Sequence, residues 1–296
     1  MTAEVLTPAI ASGRRASFAR RAVHFARNNV LFVAGGCIFA LIVLGAIFAP
    51  LIAPYDPTAI DFSAKLSPPN FDHLMGCNDL GQDIFSQVLF GARTSLMVGV
   101  VVISLAVGIG VPIGLLAGFF GGRIDTVLMR ISDVFLAFPP LLLPIAITAA
   151  LGTGLTNAVM ALAVSWFPWY SRIVRGAVMR VKNELYISAA QAMGVSSPRI
   201  MLRHALPNST TPIIVQGSMD FGYAILAAAS LSFIGIGAQP PTPEWGLMAA
   251  MSRDRFIDNW WTVTFPGLAI FVTVLAVNLV GDGVRDILDP KHQSSH

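Results

Sequence analysis

One carboxylate stands deep inside an otherwise uncharged stretch. Asp220 lies about ten residues into the run 211–236, with Gln216 four positions before it and Tyr223 three after, so the three share one face of a helix. An ionisable group at that depth costs ~2.5–3.5 kcal/mol or more unless it is paired or hydrated. The stripe therefore either lines a polar path through the protein or makes a structural hydrogen bond to a neighbouring helix or a partner subunit. Other reactive constellations are missing. There is no G-x-x-x-x-G-K-[ST] loop to cradle a nucleotide, and no H-E-x-x-H, C-x-x-C or G-x-S-x-G. The five histidines, His24, His73, His204, His292 and His296, are too scattered for metal ligation, and none falls in an uncharged run where an intramembrane protease would need one. The sequence thus points away from an enzyme and from a protein that hydrolyses ATP by itself.

The elements that must position this stripe are helices in lipid. Of 296 residues 55% are hydrophobic and only 12% charged, and the mean hydropathy is +0.70. A soluble domain carries roughly 25% charged residues, so there is too little charge here to cover a water-exposed surface. Uncharged runs long enough to cross ~30 Å of hydrocarbon occupy residues 30–53, 94–120, 134–171, 211–236 and 261–281. The third is nearly twice a span's length and is divided by Gly152-Thr153-Gly154, which reads as a tight helical hairpin. The expectation is an all-α polytopic membrane protein with six transmembrane helices. The first run follows an Arg-rich start, lacks a clear cleavage site, and reads as an uncleaved anchor.

An even number of spans puts both termini on one side. With the N-terminus cytoplasmic, fifteen Lys and Arg residues fall inside and four (Lys65, Arg93, Arg253 and Arg255) outside, a strong orientation signal. This sorting also explains the net charge of +3 without nucleic acid as a partner. Trp260 and Trp261 are expected at the outer interface, Trp169 and Tyr170 at the inner one. Residues 1–29 form a cytoplasmic N-terminal segment whose Phe18, Ala22 and Phe25 recur at helical spacing among five arginines. It either lies on the anionic inner leaflet or simply orients the first span. An outer loop spans 54–93, and a five-helix core 94–283 carries an inner loop at 172–210 and an outer loop at 238–260, leaving a cytoplasmic tail at 284–296. Cys37 and Cys77 sit at different depths, so no disulfide is expected.

The inner loop is unusually patterned. Asn183 is placed to cap a helix over 185–193 that presents Ser188, Ala189 and Ala192, and Gly194 is placed to end it in the left-handed conformation. Ser197-Pro198 restarts the chain as cap and first helical residue, and a second short helix, 199–205, stops before Leu206-Pro207. Small exposed side chains on two short helices suit close docking by another protein; a solvated connector rich in alanine would look the same.

Ser188-Ala189-Ala190, three residues, Gly194 and then Leu206-Pro207 resembles the EAA loop of bacterial ABC importer permeases, with Ser188 where Glu is usual and His204 where Ile is usual. Residues 73–96, 232–246 and 278–291 are similar to the dipeptide/oligopeptide/nickel permease family, specifically its shorter, second subunit. Gly76-Cys77-Asn78 and Gly81-Gln82-Asp83 depart from that family's usual Gly-Thr-Asp and Gly-Arg-Asp. The resemblance implies a type I ABC importer permease fold in the bacterial inner membrane. It further implies heterodimerisation with a second permease subunit, two ATPase subunits that hold the ATP and Mg, an extracytoplasmic substrate-binding protein, and no cofactor on this chain. Ser188, Ala189, Ala190, Gly194, Arg199, Leu206 and Pro207 would then couple to an ATPase, with Arg199 and Arg203 either pairing with its acidic residues or serving only the positive-inside bias. Gln216, Asp220 and Tyr223 would line the translocation path. Cargo would be a peptide or a similar small solute, with nickel complexes, glutathione-like or opine-like compounds as alternatives. The rival class is a self-sufficient secondary transporter or channel, which calls for an inverted repeat, helices broken at mid-span and several intramembrane charges. In the second outer loop, Trp245-Gly246 after Pro240, Pro241 and Pro243 reads as an interfacial anchor in preference to a plug or a contact for the binding protein. Gly281-Asp282-Gly283 is expected to end the sixth span, with an Asp282–Arg285 ion pair one turn apart.

Overall fold

A computed structural model describes residues 29–288. The N-terminal amphipathic segment, apart from Asn29, and the tail after Leu288 lie outside the described residues. The chain is built of helices: α1 (Val30–Ile47), α2 (Ala49–Ile52), α3 (Ile84–Phe120), α4 (Gly122–Leu136), α5 (Leu142–Leu151), α6 (Leu155–Lys182), α7 (Leu185–Ala192), α8 (Ser197–Ile200), α9 (Thr210–Phe233), α10 (Trp245–Ser252) and α11 (Trp261–Leu288). Inner and outer below follow the sequence-derived topology.

The spans do not map one for one onto the uncharged runs. Among the described residues four helical stretches are long and apolar enough to cross a membrane: Val30–Ile47, Ile84–Phe120, Pro207–Phe233 and Trp261–Leu288. The expected third span is broken. Pro139 and Pro140 cannot continue the hydrogen-bond ladder, so an amphipathic α4 ends at Leu136 and α5 resumes for only 10 residues. The hairpin turn between α5 and α6 stands where the glycines were read, with φ of 98° at Gly152 and 145° at Gly154. α6 then runs 28 residues to Lys182, with Trp169 and Tyr170 near its middle.

Other boundaries shift because charge marks where apolar residues stop, not where a helix stops. α3 begins ten residues before the uncharged run, since Asp83 caps it by accepting from the Ser86 backbone N–H (2.8 Å) and hydroxyl (2.7 Å). The outer loop therefore closes at Asp83, whose other oxygen meets His73 Nδ1 at 3.0 Å. Arg93, inside α3, donates to the carbonyls of Ala46 and Ile47 at the C-terminal end of α1. At the other end of the chain α11 passes straight through Gly281-Asp282-Gly283. A Cβ on Gly283 would strike the Phe32 ring and one on Gly35 would strike Leu279, so Gly283 serves the seating of α1 on α11 and does not end the helix. Asp282 and Arg285 are not among the ion pairs found in the described residues.

Burial is layered along the bundle. The outer layer packs Ala46, Ile84, Ala92, Trp245, Met248 and Trp261. The central layer holds Val98, Val102, Leu162, Trp166, Tyr170 and Leu231, and the inner layer joins Leu115, Phe119, Val174 and Val178 to the loop residues. The first described residues of α1 lie beside the last of α11 at the inner end.

Candidate functional site: an inner docking platform and a polar pocket

The inner loop is anchored from within. Ile187, Ala190, Ile200, Met201 and Ala205 are buried against Leu115 and Phe119 of α3 and Val174 and Val178 of α6. Its details differ from the sequence reading. Glu184, not Asn183, occupies the cap position of α7, while Asn183 closes α6. α7 ends at Ala192, and Gly194 takes φ +78° at the turn. Ser196 is the cap of α8, so Ser197 and Pro198 are its first two residues. The second segment does not stop at Leu206-Pro207. It widens into a π turn over Met201–Ala205, with Leu206 N–H reaching the Met201 carbonyl at 2.8 Å, and passes through a 3₁₀ turn, Pro207–Ser209, into α9. That wider turn absorbs the donor Pro207 lacks, and the loop is thereby continuous with α9.

The expected coupling residues divide between two faces. Ala190 and Leu206 pack inward; Ser188, Ala189, Gly194, Arg199 and Pro207 face outward. Around them large apolar side chains lie bare: Leu185 is 87% exposed, Met193 77% and Leu202 61%. An exposed apolar patch of this kind suits contact with a protein partner or with lipid. Arg199 and Arg203 are not among the ion-paired residues of the described chain. Arg175 pairs with Asp125 and Arg172 with Asp133, tying α4 to α6 beside the platform.

Gln216, Asp220 and Tyr223 border one cavity, and Tyr170 of α6 joins them. Gln216 Nε2 donates to Asp220 Oδ1 at 2.8 Å, and Tyr170 Oη, from α6, donates to Oδ2 at 2.8 Å. Tyr223 stacks on Trp166 with ring centroids 5.1 Å apart and planes at 16°. With Trp169 and Pro140 these groups line a cavity of about 250 Å³ between α6 and α9. Trp166, Trp169 and Tyr170, spaced i, i+3 and i+4, were the available signal for this wall.

The pocket and the platform share one spine. Gly110, Gly114 and Gly118 of α3 lie against backbone and Cβ atoms of Phe167–Val178 on α6, so closely that a Cβ on Gly114 would sit 2.4 Å from the Ser171 carbonyl oxygen. This small-xxx-small repeat brings two helices into backbone contact, and its spacing was visible in the sequence. Tyr170, Val174 and Val178 all stand on that seam, linking Asp220 to the loop.

The outer loop also holds a buried carboxylate that the sequence reading missed. Glu244 accepts from Gly246 N–H (2.9 Å) and Leu247 N–H (2.8 Å), capping α10, and burial pushes its carboxyl above the ordinary range. Trp245 is not an interfacial anchor. Its ring is fully buried, Nε1 donates to the Val88 carbonyl at 3.0 Å, and Gly91 makes room for it. Trp261 is likewise buried and donates to the carbonyl of Cys77 at 3.2 Å. Among the described residues no cluster of three or more His, Cys, Asp or Glu is arranged to hold a metal.

The structure is thus a helical bundle with a polar pocket between α6 and α9 and an anchored inner loop that leaves large apolar side chains bare. The family model for binding-protein-dependent transport system inner membrane components matches residues 110–293, and the model for the N-terminal transmembrane domain of oligopeptide transport permease C matches residues 17–69. The chain belongs to this family of permeases. It is 45% identical to a probable D,D-dipeptide transport system permease protein of Escherichia coli K12, over 90% of this chain and 89% of that one. A di/tripeptide transport system permease of Pseudomonas aeruginosa is 46% identical over 87% of each chain. A glutathione transport system permease of Pectobacterium atrosepticum is 44% identical over 91% and 90%. In fold the chain is similar to the MetNI methionine ABC transporter in an inward-facing conformation, with a TM-score of 0.56 and 18% identity over 69% of this chain and 96% of that one. The protein is a permease subunit of an ABC importer, and ATP hydrolysis lies in separate subunits. Family membership sets aside the self-sufficient transporter.

Proposed function

We propose that this chain is one half of a heterodimeric path for small peptides across a bacterial inner membrane, with both termini cytoplasmic. Residues 183–208 dock on an ATPase subunit, and Gln216, Asp220 and Tyr223, walled by Trp166 and Tyr170, line the path. ATP and Mg reside on the ATPases, and a binding protein delivers cargo from outside. One observation carries the reading: the loop's inner face is locked into α3 and α6 while its outer face leaves Leu185, Met193 and Leu202 bare. A lever needs a rigid hold on the spans and a free surface for the motor, and the loop has both. Asp220 in mid-bundle supports the path, since a carboxylate turned to lipid would be costly. The peptide cargo is supported by the names of relatives that are 42–46% identical.

Gly194→Asp tests the docking. A Cβ there would meet nothing within 4 Å in this chain, so the folding cost is only that of a side chain at φ +78°, ~1 kcal/mol. The variant should insert and pair normally. In the reconstituted complex it should lose hydrolysis stimulated by loaded binding protein, together with uptake. Parent-level stimulation and uptake would remove the loop from the coupling role.

A further inference from the structure

We infer that the Asp220 pocket is an ammonium site, a carboxylate set in aromatic walls that receives the free amino group of the cargo. The inference rests on the path reading above and adds a chemical class to it. Each oxygen of Asp220 accepts one hydrogen bond, from Gln216 and Tyr170. A carboxylate has about four lone-pair positions, so acceptor capacity remains toward the cavity. The lining holds no Lys, Arg or His, and Asp220 is absent from the ion pairs of the described residues. Its two fixed partners are neutral donors that orient the group without neutralising it.

The walls suit the same ligand. Trp166 and Tyr223 stack, while Trp169 and Tyr223 remain about half exposed, offering π faces beside the carboxylate. Aromatic faces attract a desolvated cation, and a carboxylate among them favours an ammonium over a neutral or anionic group. The volume, about 250 Å³, admits a terminal residue or a dipeptide and not a whole oligopeptide. The site therefore reads one end of the solute. A negative group entering the same space would meet the Asp220 charge.

The test uses the assembled transporter in nanodiscs without its binding protein, so that the pocket alone discriminates. Pro140→Cys supplies a reporter that lines the cavity but contributes neither charge nor ring; exposed Cys37 is replaced by Ser and buried Cys77 is left. The rate of modification by a water-soluble thiosulfonate is measured with alanyl-alanine or N-acetyl-alanyl-alanine. Alanyl-alanine should protect at a concentration about tenfold lower than the acetylated peptide, Asp220→Asn should erase that difference, and Asp220→Glu should keep part of it. Modification with equal protection by both peptides, with protection by neither, or with discrimination surviving in Asp220→Asn would overturn the ammonium site and leave the path standing. A cysteine at 140 that the reagent never reaches would overturn both.

Discussion

Adding a single methyl group at Gly114 should uncouple the two ends of this protein. An alanine Cβ there would lie 2.4 Å from the Ser171 carbonyl oxygen, 2.8 Å from Val174 Cβ and 3.0 Å from the Arg175 nitrogen. All are backbone or Cβ atoms that no rotamer change can move, so α3 and α6 must part by ~1 Å to restore ordinary contact. Overpacking of this kind costs ~1–3 kcal/mol, and contact with backbone places it toward the upper end. Alanine also favours a helix over glycine by ~0.5–1 kcal/mol, and that gain must be removed from the comparison. Gly108→Ala on the same helix does so, because its Cβ would meet nothing within 4 Å. The difference between the two variants isolates the seam and should be ~2 kcal/mol, with Gly108→Ala at or slightly above the parent. Thermal unfolding of the purified complex measures it, and stimulated hydrolysis measures the functional consequence, since Tyr170 and Val178 would shift together. Equal midpoints for the two variants would refute a close-packed seam between α3 and α6.

At Asp220, Asn keeps an acceptor for one of its two donors, whereas Leu strands both Tyr170 Oη and Gln216 Nε2; Asp220→Leu should cost ~1–3 kcal/mol and reduce assembly, and Asp220→Asn should assemble but transport more slowly. Equal yields of the complex from both would show the carboxylate has no packing role. For Glu244, burial raises the folded pKa above the unfolded value of 4.5, so its contribution is greatest below that value and is lost as pH rises through the folded pKa. Glu244→Gln should remove that slope while costing ~1 kcal/mol for the weakened cap on α10, read as melting midpoints of parent and variant from about pH 4 to about pH 8. A parent whose stability does not fall relative to the variant's would contradict a buried, ionising carboxyl. Arg93→Met removes the cation that caps α1 through the Ala46 and Ile47 carbonyls and should lower stability by ~1–2 kcal/mol without affecting insertion. An unchanged midpoint would mean that the Arg93 hydrogen bonds add nothing to the packing that already holds α1.

Membrane residence, helical class and the inner loop were legible in the residues, because each follows from local and additive physics. Transfer of apolar side chains sums along a run, Gly194 and the Gly152–Gly154 turn announce positive φ wherever they fall, and Gln216 reaches Asp220 through the geometry of one helical turn. Helix ends were less legible, since hydropathy registers where charges begin while a helix ends where its hydrogen-bond ladder loses partners. Hence Asp83 starts α3 well before its apolar run, and α11 continues past Asp282. Only the tertiary structure decided what stands beside what across long separations. Tyr170 reaches Asp220 from 50 positions away, Trp245 is buried because Gly91, on another helix, leaves it room, and Ala190 faces its own bundle while Ala189 faces out. Such pairings depend on which helices touch and at what rotation, and no single helix carries that information in its own periodicity.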